Sequence, residues 1–139
     1  MKILLAVDGS PYTKKMLAYL AAHDLFSPKN EYTAFTAQLV LPTQARSALG
    51  DELVHKYYED EGLRVMNPVT KFLERHGIIA KCLWKIGKPG DLIAKMADTD
   101  KFDLVVMGSH GHGALMNLVV GSVATEVLAG CKVPVLVVR

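Results

Sequence analysis

Two short apolar runs constrain the fold of this chain more than any other feature of its sequence. Residues 3–7 and residues 104–107 are hydrophobic at every position, so neither run shows the alternation that is typical of a half-exposed strand. Uninterrupted runs of this length are typical of central strands in a parallel sheet, because helices cover both faces of such a sheet. The two runs therefore predict an α/β fold with two buried strands near its centre.

Segments with helical spacing alternate with candidate strands along the whole chain. Strands are predicted at residues 3–7, 32–40, 78–86, 104–107 and 133–138. Helices are predicted at residues 11–25, in a long region that follows residue 47 and ends at about 76, at 91–97 and at 118–129. Strands that alternate with helices predict a parallel sheet with helices on both faces. We therefore expect one open five-stranded sheet in a single domain that covers residues 1–139.

Local signals refine the helix predictions. Ser10 suits the N-cap of the first helix, and Pro11 suits its first position. Residues 42–47 are predicted to be a loop. In the long helical region that follows, Gly62 and Pro68 predict a kink or a break into two helices. The same region carries an imperfect apolar stripe, made of Leu49, Leu53, Tyr57, Leu63, Met66 and Leu73.

A glycine-rich loop follows the second apolar run. Gly108, Gly111 and Gly113 lie within six residues, and a helix is predicted to have Gly121 and Ser122 in its first turn. Glycine can adopt positive φ and turn backbone N–H groups towards an anion, and a helix N-terminus adds free N–H groups and partial positive charge. These parts suit a phosphate group. The alternative is that the glycines only make a tight connection between strand and helix.

The spacing of this loop resembles a known signature. Gly108-Ser109-His110-Gly111, nine further residues, and then Gly121-Ser122 match the pattern G-x-x-G-(nine residues)-G-S/T of the ATP-binding branch of the universal stress protein family. The resemblance covers the whole chain. It implies a flavodoxin-like or Rossmann-like strand order of 3-2-1-4-5, bound ATP, ADP or AMP, and a homodimer formed through the last strand, from Val133 to Val138.

In that strand order, the first and fourth strands are neighbours, and a ligand crevice forms at their carboxyl ends, where the connections reverse direction. Asp8 follows the first strand and Gly108 the fourth, so both fall at one crevice. We expect Asp8 to accept a hydrogen bond from a nucleotide hydroxyl; the alternative is a turn or capping aspartate. The candidate nucleotide-binding residues are Ala6, Asp8, Ala37, Gln38, Met107, Gly108, Gly111, Gly121, Ser122 and Val123.

Each candidate has an expected role. Ala6, Ala37 and Gln38 are expected at the adenine, and Met107 either packs against the base or sugar or belongs to the core. The backbone at Gly108 and Gly111 is expected to approach the ribose and phosphates. The phosphates are expected to accept hydrogen bonds from the Ser122 hydroxyl and from three backbone N–H groups, those of Gly121, Ser122 and Val123.

Other signatures are absent from the sequence. It has no P-loop motif and no metal-ligand spacing, so Mg²⁺ is expected only together with ATP. His110 and His112 have no adjacent nucleophile or orienting carboxylate and are expected to be exposed loop residues, so no catalytic residue is assigned. Cys82 and Cys131 are expected to be buried free thiols.

Composition narrows the partners. A formal net charge of +2, without a cluster of basic and aromatic residues, gives no reason to expect nucleic acid. The first apolar run is too short for a signal peptide or a membrane span, so a cytoplasmic protein is expected. Three functions remain open. They are a regulatory module in stress resistance that holds ATP without fast turnover, a slow ATPase or transferase, and an interaction protein that works as a dimer.

Overall fold

The computed structural model describes residues 1–112 and 117–139 and has the predicted architecture. Its five strands are all parallel and lie in the order β3-β2-β1-β4-β5, which confirms the expected fold class and strand order. Among the described residues, the elements are β1 (Lys2–Ala6), α1 (Pro11–Ala22), β2 (Glu31–Gln38), α2 (Thr43–Leu49), α3 (Asp51–Arg75), β3 (Lys81–Ile86), α4 (Pro89–Thr99), β4 (Leu104–Gly108), α5 (Ser122–Gly130) and β5 (Val135–Val138).

The two uninterrupted apolar runs are neighbouring central strands. β1 and β4 pair in register, from Ile3 opposite Leu104 to Ala6 opposite Met107. Successive residues of a strand point to opposite faces of the sheet, and here each face carries its own hydrophobic cluster. Leu5 and Val106 belong to one cluster, and Leu4 and Val105 to the other. Both strands therefore need apolar residues at every position.

Two pairs of helices cover the two faces. On one face, α1 contributes Met16, Leu17 and Leu20, and α3 contributes Val65, Met66, Val69 and Leu73. On the other face, α4 contributes Ile93, Met96 and Ala97, and α5 contributes Ala124 and Val127. The carboxyl ends of the central strands lie between the helix layers, which is where a ligand crevice forms in such a sheet.

The helix α3 differs from its prediction in two ways. It runs unbroken through Gly62 and Pro68 for 25 residues, so of the predicted kink or break into two helices, the break is wrong and the kink stays a prediction. A Cβ on Gly62 would lie 2.7 Å from Cδ1 of Trp84, so this glycine lets β3 pack closely against the helix. The second difference is the face that the helix buries, because α3 is rotated about its axis relative to the predicted apolar stripe. Leu53 and Tyr57 are about half exposed, and the buried residues are Tyr58, Gly62, Val65, Met66, Val69 and Leu73.

Only Met66 and Leu73 of the predicted stripe are therefore buried in α3. The loop predicted at residues 42–47 is also wrong, because α2 occupies Thr43–Leu49. None of the residues of α2 is buried. The segment contains alanine, glutamine, arginine and leucine, which favour helix even without burial.

Smaller corrections concern the edges of elements and the cysteines. β3 begins at Lys81, α5 at Ser122 and β5 at Val135, each later than predicted. Both cysteines are free, but Cys82 lies exposed on the edge strand β3, which corrects its expected burial. Cys131 is half-buried, and burial raises the pKa of its thiol. Across the described part of the chain, no helix is both long and apolar enough to cross a membrane.

Candidate functional site

A cleft of about 890 Å³ opens at the carboxyl ends of β1, β2 and β4. Its volume lies in the range of cofactor and small-molecule sites, roughly 300–1,000 Å³. The ten candidate residues come from distant parts of the sequence, yet all of them line this cleft: Ala6, Asp8, Ala37, Gln38, Met107, Gly108, Gly111, Gly121, Ser122 and Val123.

The turn between β1 and α1 forms one side of the cleft. Gly9 has a φ of +77°, in the left-handed region that glycine adopts without steric cost. Oδ1 of Asp8 accepts hydrogen bonds from the Ser10 backbone N–H at 2.9 Å and from the Thr13 hydroxyl at 3.0 Å. One carboxylate oxygen of Asp8 therefore has the turn-forming role that was the alternative to nucleotide binding.

The other carboxylate oxygen faces the glycine loop. A Cβ on Gly111 would lie 2.6 Å from Oδ2 of Asp8, so the loop can approach the carboxylate this closely only because Gly111 has no side chain. Ser10 holds the predicted N-cap position of α1, with Pro11 next to it. Its Oγ is buried and makes no hydrogen bond to any residue that the structure describes, so Asp8 and Thr13 organise this helix start instead.

The glycines of the loop are used for their small size. A Cβ on Gly108 would lie 2.8 Å from Cβ of Tyr12, and one on Gly121 would lie 3.1 Å from the Ser109 carbonyl oxygen. Among the described glycines, only Gly9, Gly50, Gly77 and Gly87 have positive φ, so Gly108, Gly111 and Gly121 do not use the left-handed region. Gly113, the third glycine of the predicted loop, lies outside the described residues.

The start of α5 provides some of the expected amide donors. The Gly121 N–H donates to the Ser109 carbonyl at 2.6 Å, which corrects the expectation that this group is free for a phosphate. Ser122 and Val123 occupy the first two positions of α5, where backbone N–H groups have no partner within the helix. Neither amide donates to another group within residues 1–112 and 117–139. These two amides remain available to an anion.

Two histidines fix the loop in place. Nε2 of His110 lies 2.8 Å from the Leu118 carbonyl oxygen, and Nδ1 lies 2.8 Å from the Ser109 hydroxyl. A carbonyl only accepts, so Nε2 carries the proton and Nδ1 accepts from the hydroxyl in the neutral ring. Nε2 of His112 donates to the Asp8 carbonyl at 2.8 Å. His112 is exposed as expected, but His110 is half-buried.

The opposite end of the cleft is formed by the ends of β2 and by the floor of the sheet. The Gln38 side chain donates from Nε2 to the Tyr58 carbonyl at 2.6 Å, and its backbone carbonyl accepts from the Gly87 N–H at 2.7 Å. Ala6 and Met107 are buried in the core and also line the cleft. Met107 is therefore a core residue that also lines the cleft, and its contact with the base or sugar stays a prediction.

Sequence reasoning missed the wall that α3 contributes. Tyr57, Glu61, Arg64 and Val65 of α3 also line the cleft. Glu61 accepts two hydrogen bonds from Nε of Arg64, at 3.1 and 3.2 Å, and one from Nη2 at 3.0 Å. These hydrogen bonds and the negative charge of Glu61 raise the pKa of the Arg64 guanidinium above its usual value. The spacing of three residues was a signal for the pair, but not for its position at the cleft.

The described residues do not form a cluster of side chains that could bind a metal ion. Among residues 1–112 and 117–139, no group of three or more His, Cys, Asp or Glu side chains is placed to hold a metal ion. The arrangement consists instead of two helix-terminal amides with no partner among the described residues, a serine hydroxyl, an apolar floor and an aspartate. These features define the class: a doubly wound α/β protein with a ligand crevice at the point where its strand connections reverse.

Comparison with known proteins gives the family. The family model "Usp: Universal stress protein family" matches residues 1–139. The chain is 34% identical over 143 residues to the universal stress protein MJ0531 of Methanocaldococcus jannaschii, covering 99% of this chain and 81% of that protein. The chain therefore belongs to the universal stress protein family, which confirms the resemblance seen in its sequence.

Some relatives are longer than this chain. The universal stress protein Slr1230 of Synechocystis is 28% identical over 138 residues, which are 99% of this chain and only 42% of that protein. Among solved structures, MJ0577 of M. jannaschii superposes with a TM-score of 0.83 at 29% identity, covering 99% of this chain and 94% of that one. The fold is thus shared over nearly the whole described length.

Two more distant structures contain nucleotides. A universal stress protein family protein from Arabidopsis thaliana has AMP bound (TM-score 0.71, 14% identity, 99% of this chain and 90% of that one). The universal stress protein from Archaeoglobus fulgidus is in complex with dAMP (TM-score 0.64, 18% identity, 100% of this chain and 98% of that one). At these identities the likeness shows the shared fold, and the nucleotides are properties of those proteins.

Proposed function

We propose that this protein binds an adenine nucleotide in the cleft, with ATP as the principal ligand, and holds it without fast turnover as a regulatory module in stress resistance. One observation carries the proposal. Ten residues chosen for nucleotide contact, from β1, β2, β4 and α5 and the turns beside them, line a single cleft of sufficient volume. The nucleotides bound by the Arabidopsis and Archaeoglobus proteins give independent support, because those proteins share the fold.

The phosphates are assigned to the start of α5. The Ser122 and Val123 amides and the Ser122 hydroxyl are donors there, and the partial positive charge of the helix N-terminus favours an anion. The Gly121 amide is already bonded to Ser109, so Gly121 contributes a close approach rather than a donor. Oδ2 of Asp8, beside Gly111, is assigned to a ribose hydroxyl.

The adenine is assigned to the apolar end of the cleft. Ala6 and Met107 provide a buried floor, and Ala37 with Gln38 provides backbone at the end of β2. The Gln38 side chain is held by Tyr58, so it is fixed in one orientation before any ligand binds. Because this wall is ordered before binding, less side-chain entropy is lost when the ligand binds.

A holding role is favoured over rapid hydrolysis by the state of the carboxylates. Asp8 uses one oxygen to close its own turn, and both oxygens of Glu61 are bonded to Arg64. Each carboxylate thus has a partner within the protein, and we assign neither as a general base. Mg²⁺, if it takes part, is expected to enter with ATP and to be held mainly by the phosphates.

Isothermal titration of the purified protein with ATP tests the proposal. We expect saturable one-to-one binding at nucleotide concentrations up to the millimolar range. Absence of heat at millimolar ATP, with a circular dichroism spectrum that shows the fold intact, would contradict it. Phosphate release measured in the same samples separates the holding role from a slow ATPase, since only the ATPase accumulates phosphate in proportion to protein and time.

We also propose a homodimer formed through β5. This strand pairs with β4 on one side and lies at the edge of the sheet, and an unprotected apolar edge favours pairing with another strand. The Pro134 and Val138 carbonyls accept bonds from Val105 and Ser109 of the β4 side, so the alternating backbone points the Val137 amide outward.

Sedimentation velocity at high micromolar concentration tests the dimer. We expect a dimer for the native chain and a shift to monomer for Val137→Pro, because proline removes an outward-facing donor and leaves the bonds to β4 intact. The control is Ala129→Val, a substitution of an exposed residue outside β5, and it is expected to stay dimeric. A native chain that sediments as a monomer would contradict the proposal.

A further inference from the structure

Arg64 is an unusual residue for the cleft in which it lies. In the described part of the chain, it is the sole lysine or arginine among the residues that line the cleft. Residues 113–116 are Gly, Ala, Leu and Met, so they add no charged side chain. Asp8 and Glu61 also line the cleft, and their carboxylates would repel a phosphate. A ligand with several phosphates therefore finds one permanent cation there.

Two of the three guanidinium nitrogens of Arg64 donate hydrogen bonds to Glu61. Glu61 bonds to Nε and Nη2, and Nη1 has no hydrogen-bond partner within residues 1–112 and 117–139. Nη1 lies 3.9 Å from the point that a Cβ on Gly9 would occupy, and Nε2 of His112 lies 4.0 Å from the same point. The free edge of the guanidinium thus lies over the turn between β1 and α1, next to Asp8.

The pairing with Glu61 prepares Arg64 for this position. An arginine side chain loses substantial rotamer entropy when a ligand fixes it, and a bidentate pair fixes it beforehand. Without nucleotide, Glu61 also balances the positive charge. The guanidinium fork matches phosphate oxygens, which makes arginine the appropriate cation for a phosphate that approaches from one side.

We infer that Arg64 contacts the phosphates beyond the first, and that it makes the cleft prefer a nucleoside triphosphate to a monophosphate. This inference rests on the proposed nucleotide binding. The amides of Ser122 and Val123 and the Ser122 hydroxyl supply donors for one phosphate group at the start of α5. Each added phosphate brings more negative charge into a cleft with two carboxylates, and Arg64 is the group that offsets it.

Titration of ATP, ADP and AMP into three proteins tests the inference, at fixed ionic strength and fixed Mg²⁺. The proteins are the native chain, Arg64→Gln and the control Arg75→Gln. Arg75 lies in the last turn of the same helix, and it is not among the residues that line the cleft. We expect Arg64→Gln to weaken ATP binding about tenfold, as for a lost hydrogen bond to a charged group.

The same substitution is expected to change the AMP affinity by less than about twofold, since its single phosphate is assigned to a separate set of donors. Arg75→Gln should leave all three affinities unchanged. Equal losses for ATP and AMP, or no loss for ATP, would overturn the role of Arg64 and leave nucleotide binding standing. A native chain that binds none of the three nucleotides would overturn the proposed function and this inference together.

Discussion

The two walls of the cleft were predictable to very different degrees. The glycine wall, residues 108–112 and 117–123, follows from a motif in which every participant lies within a short stretch of sequence. The α3 wall, made of Tyr57, Glu61, Arg64 and Val65, comes from one long helix whose buried face is set by packing against β2 and β3. Local spacing reveals the first wall, whereas the second depends on how far a helix is rotated about its own axis.

The rotation of α3 is tested by two identical substitutions on that helix. Leu73 is 1% exposed and Leu53 is 53% exposed, although both belong to the predicted stripe. We expect Leu73→Ala to lower the free energy of unfolding by about 2–5 kcal/mol, because it removes packed methyl groups and leaves a cavity. Leu53→Ala is expected to stay within about 0.5 kcal/mol of the native value.

Chemical denaturation with a two-state fit measures both differences. A comparable loss for the two variants would mean that α3 packs with the predicted stripe inward, and the α3 wall of the cleft would have to be reassigned.

The close packing of the glycine wall is tested by Gly108→Val. Side-chain atoms at this position would meet Cβ and the carbonyl of Tyr12 at the start of α1. We expect the free energy of unfolding to fall by about 1–3 kcal/mol, the usual cost of forcing extra atoms into a packed region. Thermal unfolding followed by circular dichroism measures it. Ala129→Val also creates a valine, adding two carbon atoms at an exposed site of α5, and should cost no more than about 0.7 kcal/mol. Equal effects would show that Gly108 is not a packing requirement.

The chemistry of the glycine wall is tested by Ser122→Asp. An aspartate in the first turn of α5 favours the helix, since it complements the positive end of the helix dipole. The same carboxylate would occupy the donors assigned to phosphate and repel it, so we expect ATP affinity to fall at least about tenfold. Ser47→Asp on α2 makes the same charge change on an exposed residue outside the cleft lining and should have little effect. Titration calorimetry measures the ATP affinity of both variants. An unchanged affinity in Ser122→Asp would mean that the phosphates bind elsewhere.

The sequence specified the architecture because its signals were local or periodic. Residues 3–7 and 104–107 predicted central strands, and the structure places them as buried neighbours in register. The structure also brings all ten candidate residues to one cleft, since the carboxyl ends of parallel strands meet at one edge.

The sequence failed where a contact between distant elements decides the outcome. Gly62 looked like a helix breaker because nothing local shows that Trp84 needs the space. Gly121 looked like a free donor because its bond to Ser109 crosses the loop. Sequence reasoning assigned no structural role to His110 and His112, because their acceptors, the carbonyls of Leu118 and Asp8, are brought to them only by the fold.

The bonds of Ser109 have a mechanical consequence. Its amide donates to the Val138 carbonyl at 2.8 Å, and its carbonyl accepts from the Gly121 amide at 2.6 Å. The last residue of β5 and the residue before α5 are thus both hydrogen-bonded to the backbone of Ser109, with no side chain in between. A displacement of either element is expected to strain these main-chain hydrogen bonds, which couple the end of β5 to the mouth of the cleft.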